Sequence, residues 1–260
     1  MAAQEKAPCV FIGTSGYSYP HWQGVFYPEG LPSRKWLWFY ASLFNTVELN
    51  VTFYRLPRDS TFQNWYRTTA PDFSFVLKGS RLVTHRKRLA EPAEAVAIFF
   101  SRAALLKEKL AAVLWQLPPG MQADSGRLGE FCRVLREHPV ARDVRHAFEF
   151  RHQSWFTDRI YAVLQEFGFA LCIADAPRWP CIEEVTGDFV YYRFHGPERL
   201  YASCYSAEEL TRWAEKMAAH LMAGRDVYAY FNNDAAGHAA ANARELKELL
   251  AAFKRGNQGR

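Results

Sequence analysis

The sequence is poor in cysteine, and its few cysteines are scattered. There are five, an odd number, and no two of them form a C-x-x-C pair. A disulfide framework and a zinc finger both require cysteines at close, regular spacings, so the sequence argues against both. The five are Cys9, Cys132, Cys172, Cys181 and Cys204.

Long apolar runs are also absent. No stretch approaches the roughly 18 uninterrupted apolar residues that a membrane-spanning helix needs. The first residues, Met1 to Lys6, are polar and lack the apolar centre of a secretory signal. We therefore expect no association with a membrane and a cytoplasmic location.

Neither sign of charge dominates the chain. Its 32 Lys and Arg residues exceed its 27 Asp and Glu residues by a formal net charge of +5. This surplus is spread along the chain, so it permits an anionic ligand but does not by itself indicate nucleic acid. Because 49% of the residues are hydrophobic, the composition excludes a disordered chain.

Short apolar runs alternate regularly with longer amphipathic segments along the chain. The short runs are rich in Val, Ile, Phe and Tyr and predict strands, whereas the amphipathic segments predict helices. The predicted strands are Val10–Gly13, Thr46–Val51, Ser74–Lys78, Ala112–Gln116, His146–Phe150, Ala170–Ala174, Val190–His195 and Val227–Asn232. The predicted helices are Arg34–Phe44, Asp59–Thr69, Ala93–Lys109, Asp124–Glu137, Phe156–Phe167, Ala207–Met222 and Gly237–Phe253.

Eight strands, each followed by a crossover, predict a parallel sheet closed into a single-domain (β/α)8 barrel of the TIM type. We predict that the barrel occupies residues 8–254 and that residues 255–260 form a disordered tail. The sixth unit is short, because Pro177–Asp188 contains two prolines and has room for one short helix at most. An open doubly wound sheet is the alternative, but the turn Gly13–Tyr17 lacks its G-x-G-x-x-G phosphate motif.

Polar side chains close the predicted strands from the second onward. Side chains alternate between the barrel interior and the helix layer, and the inward ones at the carboxyl ends form the active-site floor. We therefore expect these polar residues to meet in one cavity. They are Glu48, Asn50, Lys78, Gln116, Glu149, Arg151, Asp175, Arg193, His195 and Asn232.

Four of these residues are candidates for catalysis. Glu48 and Glu149 come from nearly opposite strands and predict an acid/base pair; in glycosidases such carboxylates lie roughly 5 to 9.5 Å apart. Alternatively, one glutamate holds a cation in place while the other acts as the base. His195 is a candidate accessory proton donor. Lys78 is in principle a Schiff-base lysine, although neighbouring carboxylates would oppose the lowered pKa that this role requires.

The cations in this set, together with Arg81 just beyond the third strand, predict a clamp for a phosphate or carboxylate group. They are Lys78, Arg151 and Arg193. Asn232 and Asn233 would add neutral donors to the same anion. A metal site gathers carboxylates and histidines without so many cations, so we expect neither a metal ion nor another cofactor. The alternative to a ligand site is a structural salt-bridge network that closes the top of the barrel.

Aromatic residues crowd the loops that follow the predicted strands. Some of these rings must belong to ordinary packing, since aromatic side chains dominate protein cores. A rim of rings around a polar floor nevertheless suits a ligand with flat faces, such as a sugar or a nucleobase. The rings that we predict to contact a ligand are Tyr17, Trp22, Tyr54 and Trp155.

Several motifs in order resemble the YecE-like family, also called domain of unknown function 72. They include Gly13-Thr14-Ser15-Gly16-Tyr17 with Trp22, Asn45–Asn50, Phe148–Arg151, Tyr192–Gly196 and Tyr230–Asn233. The resemblance runs from Val10 to about Phe253 and implies a TIM-type barrel, but it implies no particular reaction. The sequence departs from the family pattern in its abbreviated sixth unit.

The residues favour an enzyme that uses acid/base chemistry on an anionic, phosphorylated or carboxylated, sugar-like small molecule. They do not separate a hydrolase from a lyase or an isomerase, and they indicate no oligomeric state. Two alternatives stay open. One is a nucleic-acid-linked hydrolase or binding protein that uses the basic surplus and the aromatic rim. The other is a module that binds a metabolite without catalysis.

Overall fold

Eight parallel strands form one sheet in the computed structural model, which describes residues 7–258. Neighbouring strands pair in the order β1-β8-β7-β6-β5-β4-β3-β2, so each strand lies beside its sequence neighbour and β8 returns to β1. This arrangement confirms the predicted TIM-type barrel. The strands are β1 Val10–Thr14, β2 Thr46–Leu49, β3 Ser74–Lys78, β4 Leu110–Gln116, β5 Arg145–Glu149, β6 Ala170–Asp175, β7 Phe189–Phe194 and β8 Asp226–Phe231.

Helices connect the strands in every unit except the sixth. They are α1 Trp36–Leu43, α2 Val51–Tyr54, α3 Asp59–Thr68, α4 Ala93–Ala103, α5 Ser125–Glu137, α6 Asp158–Phe167, α7 Ala207–Met222 and α8 His238–Gln258. The segment between β6 and β7, all of it described, contains turns but no helix, which confirms the shortened sixth unit. Among residues 7–258, no helix is both long and apolar enough to cross a membrane.

The last helix is longer than the sequence predicts. α8 continues through Gln258, whereas we expected residues 255–260 to be a disordered tail. Lys and Arg are good helix formers, and the helix continues through them before it reaches Gly256 and Asn257. The last two residues of the predicted tail lie outside the described residues.

The helix before β4 is shorter than predicted. α4 ends at Ala103 and a 3-10 segment, Ala104–Lys109, leads into β4. Lys109 is buried here, and its Nζ donates to the carbonyl oxygens of Tyr66 at 2.7 Å and Thr69 at 2.8 Å. This lysine therefore satisfies orphan carbonyl groups at the end of α3 instead of continuing a helix.

A tyrosine hydroxyl completes the seam between β1 and β2, where the barrel is nearly closed. The Tyr40 hydroxyl accepts a hydrogen bond from Thr14 N and donates one to the carbonyl oxygen of Thr46, both at 3.0 Å. Nearer the carboxyl ends, Gly16 N donates directly to the carbonyl oxygen of Glu48 at 2.7 Å. At the middle of the seam, β1 and β2 are therefore bridged through the Tyr40 hydroxyl, whereas beside Glu48 their backbones hydrogen-bond directly.

Apolar residues cover both faces of the sheet, and successive residues of a strand belong to different layers. The residues that face the helices include Ile12, Val47, Phe75, Trp115, Phe148 and Ile173. The barrel interior contains Val76, Ala112, Leu114, Ala147, Cys172 and Tyr191. This alternation directs the side chains of Glu48, Lys78, Glu149 and Arg193 to the interior at the carboxyl ends of their strands.

Candidate functional site

A buried arginine joins two buried glutamates at the floor of the barrel mouth. Arg193 Nη2 donates to Glu48 Oε1 at 2.7 Å and its Nε donates to Glu48 Oε2 at 3.0 Å. Arg193 Nη1 donates to Glu149 Oε2 at 2.5 Å. All three side chains have no exposure to solvent. We call these three residues the floor network.

Two neighbouring hydroxyl groups complete the surroundings of Glu48. Ser15 Oγ donates to Oε1 and the Tyr191 hydroxyl donates to Oε2, both at 2.6 Å. With the two bonds from Arg193, each carboxylate oxygen has two donors. A buried charge that is paired and hydrogen-bonded in this way is stable in place.

Arg151 occupies the other side of Glu149 and extends toward the loops. Its Nε donates to Glu149 Oε1 at 2.6 Å and its Nη1 donates to the Tyr201 hydroxyl at 3.2 Å. The guanidinium carbon lies 4.1 Å from the ring centre of Trp179, a cation–π contact. Arg151 therefore connects the floor network to two loops of the mouth.

The floor network keeps both carboxylates ionised. Burial by itself would raise the pKa of Glu48, but Arg193 and the hydrogen bonds from Ser15 and Tyr191 more than offset it and lower the pKa. The pKa of Glu149 is lowered further, because burial there is opposed by both Arg151 and Arg193. The two glutamates meet as the sequence predicts, but neither holds a proton to donate at neutral pH.

The side chain of Lys78 lies beside the floor network and is partly accessible to solvent. It is 9% exposed, and its Nζ lies 4.4 Å from the ring centre of Phe53. Among the described residues, Nζ makes neither a hydrogen bond nor an ion pair. Burial and the charge of Arg193 lower the pKa of Lys78 to about 7, although Glu149 opposes the shift. The carboxylates oppose the shift, as the sequence predicts, but burial outweighs them.

His195 is buried beside the floor network and is uncharged at neutral pH. Burial, followed by the charge of Arg193, lowers its pKa to about 4. Its Nδ1 lies 3.2 Å from Asn232 Nδ2, and its Nε2 lies 3.6 Å from Glu149 Oε1. Arg193 Nη1 lies 3.4 Å from the same Nε2 atom.

We expect the His195 imidazole to stay neutral when the pH is lowered from about 8 to about 5, because protonation would place a cation against Arg193. The measurement is the pH dependence of the imidazole carbon-bound proton signals by NMR, with His195→Gln to assign them. A titration midpoint near the ordinary histidine value of about 6.5 would contradict this environment.

A cavity of about 750 Å³ lies above the floor network. Its aromatic lining consists of Tyr17, Tyr19, Tyr54, Trp65 and Tyr201. Its polar and charged lining includes Asn50, Lys78, Asn232 and Asp234. The structure therefore brings Lys78, Asn50, Asn232, Tyr17 and Tyr54 of the predicted residues to one cavity.

The first loop shapes one wall of this cavity. Gly16 has a φ of +100°, and a Cβ atom there would collide with the Tyr19 ring, so the turn requires glycine. Tyr19 donates its hydroxyl proton to the carbonyl oxygen of Ser15 at 2.6 Å. Trp22 is fully buried and its Nε1 donates to Asp234, so it orients a cavity residue but does not contact the cavity itself.

Two predicted ligand contacts point away from the cavity. Asp175 has the opposite parity to the inward residues of β6, and its carboxylate makes hydrogen bonds with Tyr205 and Trp213 in the helix layer. Its prediction as a floor residue is wrong, because Asp175 directly follows Ala174, which faces the barrel interior. Trp155 is fully buried; its Nε1 donates to the carbonyl oxygen of Met121, and its ring stacks on Phe150.

Three further predicted contacts are not among the residues that line the cavity. Gln116 is buried and donates to the carbonyl oxygen of Leu117 at 2.7 Å. Asn233 is fully buried and donates to Asn242 Oδ1 at 2.9 Å, an arrangement that supports the loop after β7. Arg81 is exposed on the loop after β3 and is not among the residues that line the cavity.

Sequence reasoning missed several residues of the site. Tyr191 lies two residues before Arg193, a predicted inward position, so the same parity argument would have found it. Ser15 follows the first strand, for which no inward residue was predicted. Asp234 and Trp65 carry no comparable signal, because a loop and a helix deliver them to the cavity. Across the described part of the chain, no three His, Cys, Asp or Glu side chains are grouped as ligands for a metal ion.

Comparisons with known proteins agree with the motifs. The UPF0759 protein YunF of Bacillus subtilis is 26% identical over 274 residues, which cover 93% of this chain and 94% of YunF. The UPF0759 protein YecE of Escherichia coli K12 is 31% identical over 109 residues, 42% of this chain and 38% of YecE. This similarity confirms the resemblance that the motifs indicate.

A solved structure and a family model cover nearly the whole chain. The crystal structure of the DUF72 protein TM1631 from Thermotoga maritima matches with a TM-score of 0.82 and 33% identity, over 94% of this chain and 99% of TM1631. A family model described as "Protein of unknown function DUF72" matches residues 11–259. Because that match extends from the first strand to the last helix, the chain belongs to the DUF72 family.

Proposed function

We propose that this protein is an enzyme that binds a small, anionic, sugar-like molecule in the mouth cavity and uses Lys78 to transfer a proton. The observation that carries the proposal is the position of Lys78 Nζ, unpaired and open to the cavity above a buried floor. A pKa of about 7 allows the same amine to accept and release a proton at neutral pH.

The charges of the floor favour an anionic ligand. The guanidinium groups of Arg151 and Arg193 balance the carboxylates of Glu48 and Glu149, so protonated Lys78 contributes the surplus positive charge. A bound anion stabilises that ammonium group and raises its pKa. Affinity for the anion is therefore expected to fall as the pH rises through the pKa of Lys78.

The lining of the cavity fits a sugar-like molecule better than an extended apolar one. Tyr17, Tyr54 and Tyr201 line the cavity, and sugar rings pack against the faces of aromatic rings. Asn50 and Asn232 supply amide groups for hydroxyl groups of the ligand. Asn50 Oδ1 is buried without a hydrogen-bond partner among the described residues, so a ligand donor would satisfy it.

In this proposal the two glutamates act through other residues. Glu48 and Glu149 hold Arg193 beneath the cavity, and Arg193 in turn contributes to the lowered pKa of Lys78. They are positioning residues, and the proton-transfer role that the sequence suggests for them passes to Lys78. The proposed chemistry therefore depends on one proton-transfer group supported by a preorganised ionic floor.

Thermal denaturation with phosphorylated sugars, inorganic phosphate and small carboxylates tests this proposal. At least one of them is expected to stabilise the wild type by mass action, more at about pH 6 than at about pH 9. Lys78→Met should lose this stabilisation, with affinity reduced by about tenfold or more through loss of the charge.

Lys247→Met is the matched control. Lys247 is an exposed lysine of α8, and its Nζ donates to the carbonyl oxygen of Leu43, outside the cavity. This variant should keep the full response to the same compounds. An equal response from Lys78→Met and wild type would refute the proposal, as would stabilisation that does not change with pH.

A further inference from the structure

The lack of a hydrogen-bond acceptor for its amine distinguishes Lys78 from Lys109, the other buried lysine of the described chain. Lys109 is also buried, but its Nζ donates to the carbonyl oxygens of Tyr66 and Thr69 and to the Thr69 hydroxyl. The Lys109 amine donates three hydrogen bonds in its protonated form, so it has no lone pair available for reaction. Lys78 Nζ has no acceptor among the described residues and faces a cavity. A buried amine that no acceptor holds is suited to react with a ligand.

We propose that Lys78 forms an imine with the carbonyl carbon of an anionic aldehyde or ketone bound in the mouth cavity. The inference rests on the proposed function and specifies its substrate class. Strand β3 fixes the backbone of Lys78, and the Phe53 ring at 4.4 Å supports the amine from one side. A rigid support of this kind holds a nucleophile in place for attack.

The neutral form of the amine is the nucleophile, and the surroundings of Lys78 supply it. At a pKa of about 7, roughly half of the Lys78 amine is unprotonated at neutral pH. An ordinary lysine, with a pKa near 10.4, is unprotonated in only about one molecule in several thousand. Burial and the adjacent guanidinium of Arg193 together produce this difference.

The charge of the product explains why the carbonyl compound would be anionic. A protonated imine keeps the positive charge that Lys78 carries as an ammonium group, so the floor retains its surplus of one cation. A carboxylate or phosphate close to the carbonyl carbon would therefore be stabilised both before and after the covalent step.

Tyr201 is placed to assist the loss of water. Its hydroxyl oxygen accepts a hydrogen bond from Arg151 Nη1 at 3.2 Å, which leaves its own proton free to point into the cavity. The residue has a φ of +64°, a strained conformation for tyrosine that its loop maintains. Such strain is often found where a side chain must be held at a functional site.

Formation of the imine conserves atoms and charge. The lone pair of Lys78 Nζ forms a bond to the carbonyl carbon, and the carbon–oxygen π electrons move to the oxygen. That oxygen takes one proton from the former amine and one from the Tyr201 hydroxyl, and it leaves as water. The protonated imine retains the second amine hydrogen, and solvent returns a proton to Tyr201. The imine then withdraws electrons from the neighbouring carbon.

Reductive trapping tests the inference with pyruvate as the probe. Wild-type protein is incubated with pyruvate and sodium borohydride at neutral pH, and the modified peptide is located by mass spectrometry. Lys78 is expected to be labelled at least about tenfold faster than Lys247, because the neutral fraction of its amine is far larger. Acetone, which lacks the carboxylate, should label Lys78 more slowly than pyruvate does.

The outcomes separate this inference from the proposed function. Labelling of Lys78 that is no faster than labelling of Lys247 would overturn the imine, even if Lys78→Met still loses its response to phosphate or sugars. Lys78→Arg provides a second check, because it keeps the charge but forms no imine: it should retain part of the anion response and lose all trapping at position 78. The labelled lysine is located in the wild-type protein, so poor folding of a variant would not affect the comparison of Lys78 with Lys247.

Discussion

Replacing Arg193 with methionine is expected to lower the free energy of unfolding by about 3 to 5 kcal/mol. The substitution leaves Glu48 and Glu149, both fully buried, without the guanidinium that compensates their charges. Methionine fills a similar volume, so the effect comes from the unpaired carboxylates and not from a cavity. Urea denaturation at neutral pH, followed by the far-ultraviolet circular dichroism, measures the change.

Two variants provide controls for this prediction. Arg133→Ala removes an exposed guanidinium that pairs with Glu130 on α5, and it should change the stability by less than about 1 kcal/mol. Adding Glu149→Gln to Arg193→Met should recover part of the loss, because one uncompensated charge disappears. Near-wild-type stability of Arg193→Met alone would show that Arg193 does not compensate buried charges on Glu48 and Glu149.

Replacing Lys78 with methionine is expected to stabilise the fold at neutral pH while it abolishes ligand binding. The folded pKa of Lys78 is about 7 and the unfolded value is about 10.4, so between these values the unfolded chain binds more protons. The wild type therefore gains stability as the pH rises from about 7 to about 10 and carries the full cost of a buried ammonium group below pH 7. Removing that group should raise the free energy of unfolding by up to about 4 kcal/mol.

The pH dependence distinguishes this effect from better packing. The advantage of Lys78→Met over the wild type should be largest at about pH 6 to 7 and should shrink toward about pH 10, where the wild-type amine is neutral in the folded state. Urea denaturation of both proteins at these pH values measures it. An advantage that is constant with pH, or a loss of stability at pH 7, would contradict an unpaired, buried amine.

The regular alternation of apolar runs with helix-length segments in the sequence was sufficient to predict the barrel. Eight apolar runs separated by helix-length segments correspond to eight parallel strands, and Ser206 with Glu209 forms a capping box at the start of α7. These features are local, since they depend on side chains within a few residues of each other. The end of α4 was predicted less well, because Lys109 is held there by the distant carbonyl groups of α3.

Parity predicted which residues of the second, fifth and seventh strands face the interior, but it was not applied to the sixth strand. Arg193 meets Glu48 and Glu149 although it lies 145 and 44 residues from them along the chain, because parallel strands bring their carboxyl ends to one edge. Asp175 was assigned to the same edge by its position at the end of β6. A residue at the next position along a strand points to the other face, so it contacts α7 instead.

The sequence by itself determined the barrel and the set of ionisable groups that enter it. Only the tertiary structure decided which of them form buried ion pairs and which one faces a cavity. The reason is that the exposure of a side chain and its pKa depend on atoms from segments far apart in the chain. Arg193 neutralises Glu48 from across the barrel, whereas no acceptor among the described residues reaches Lys78.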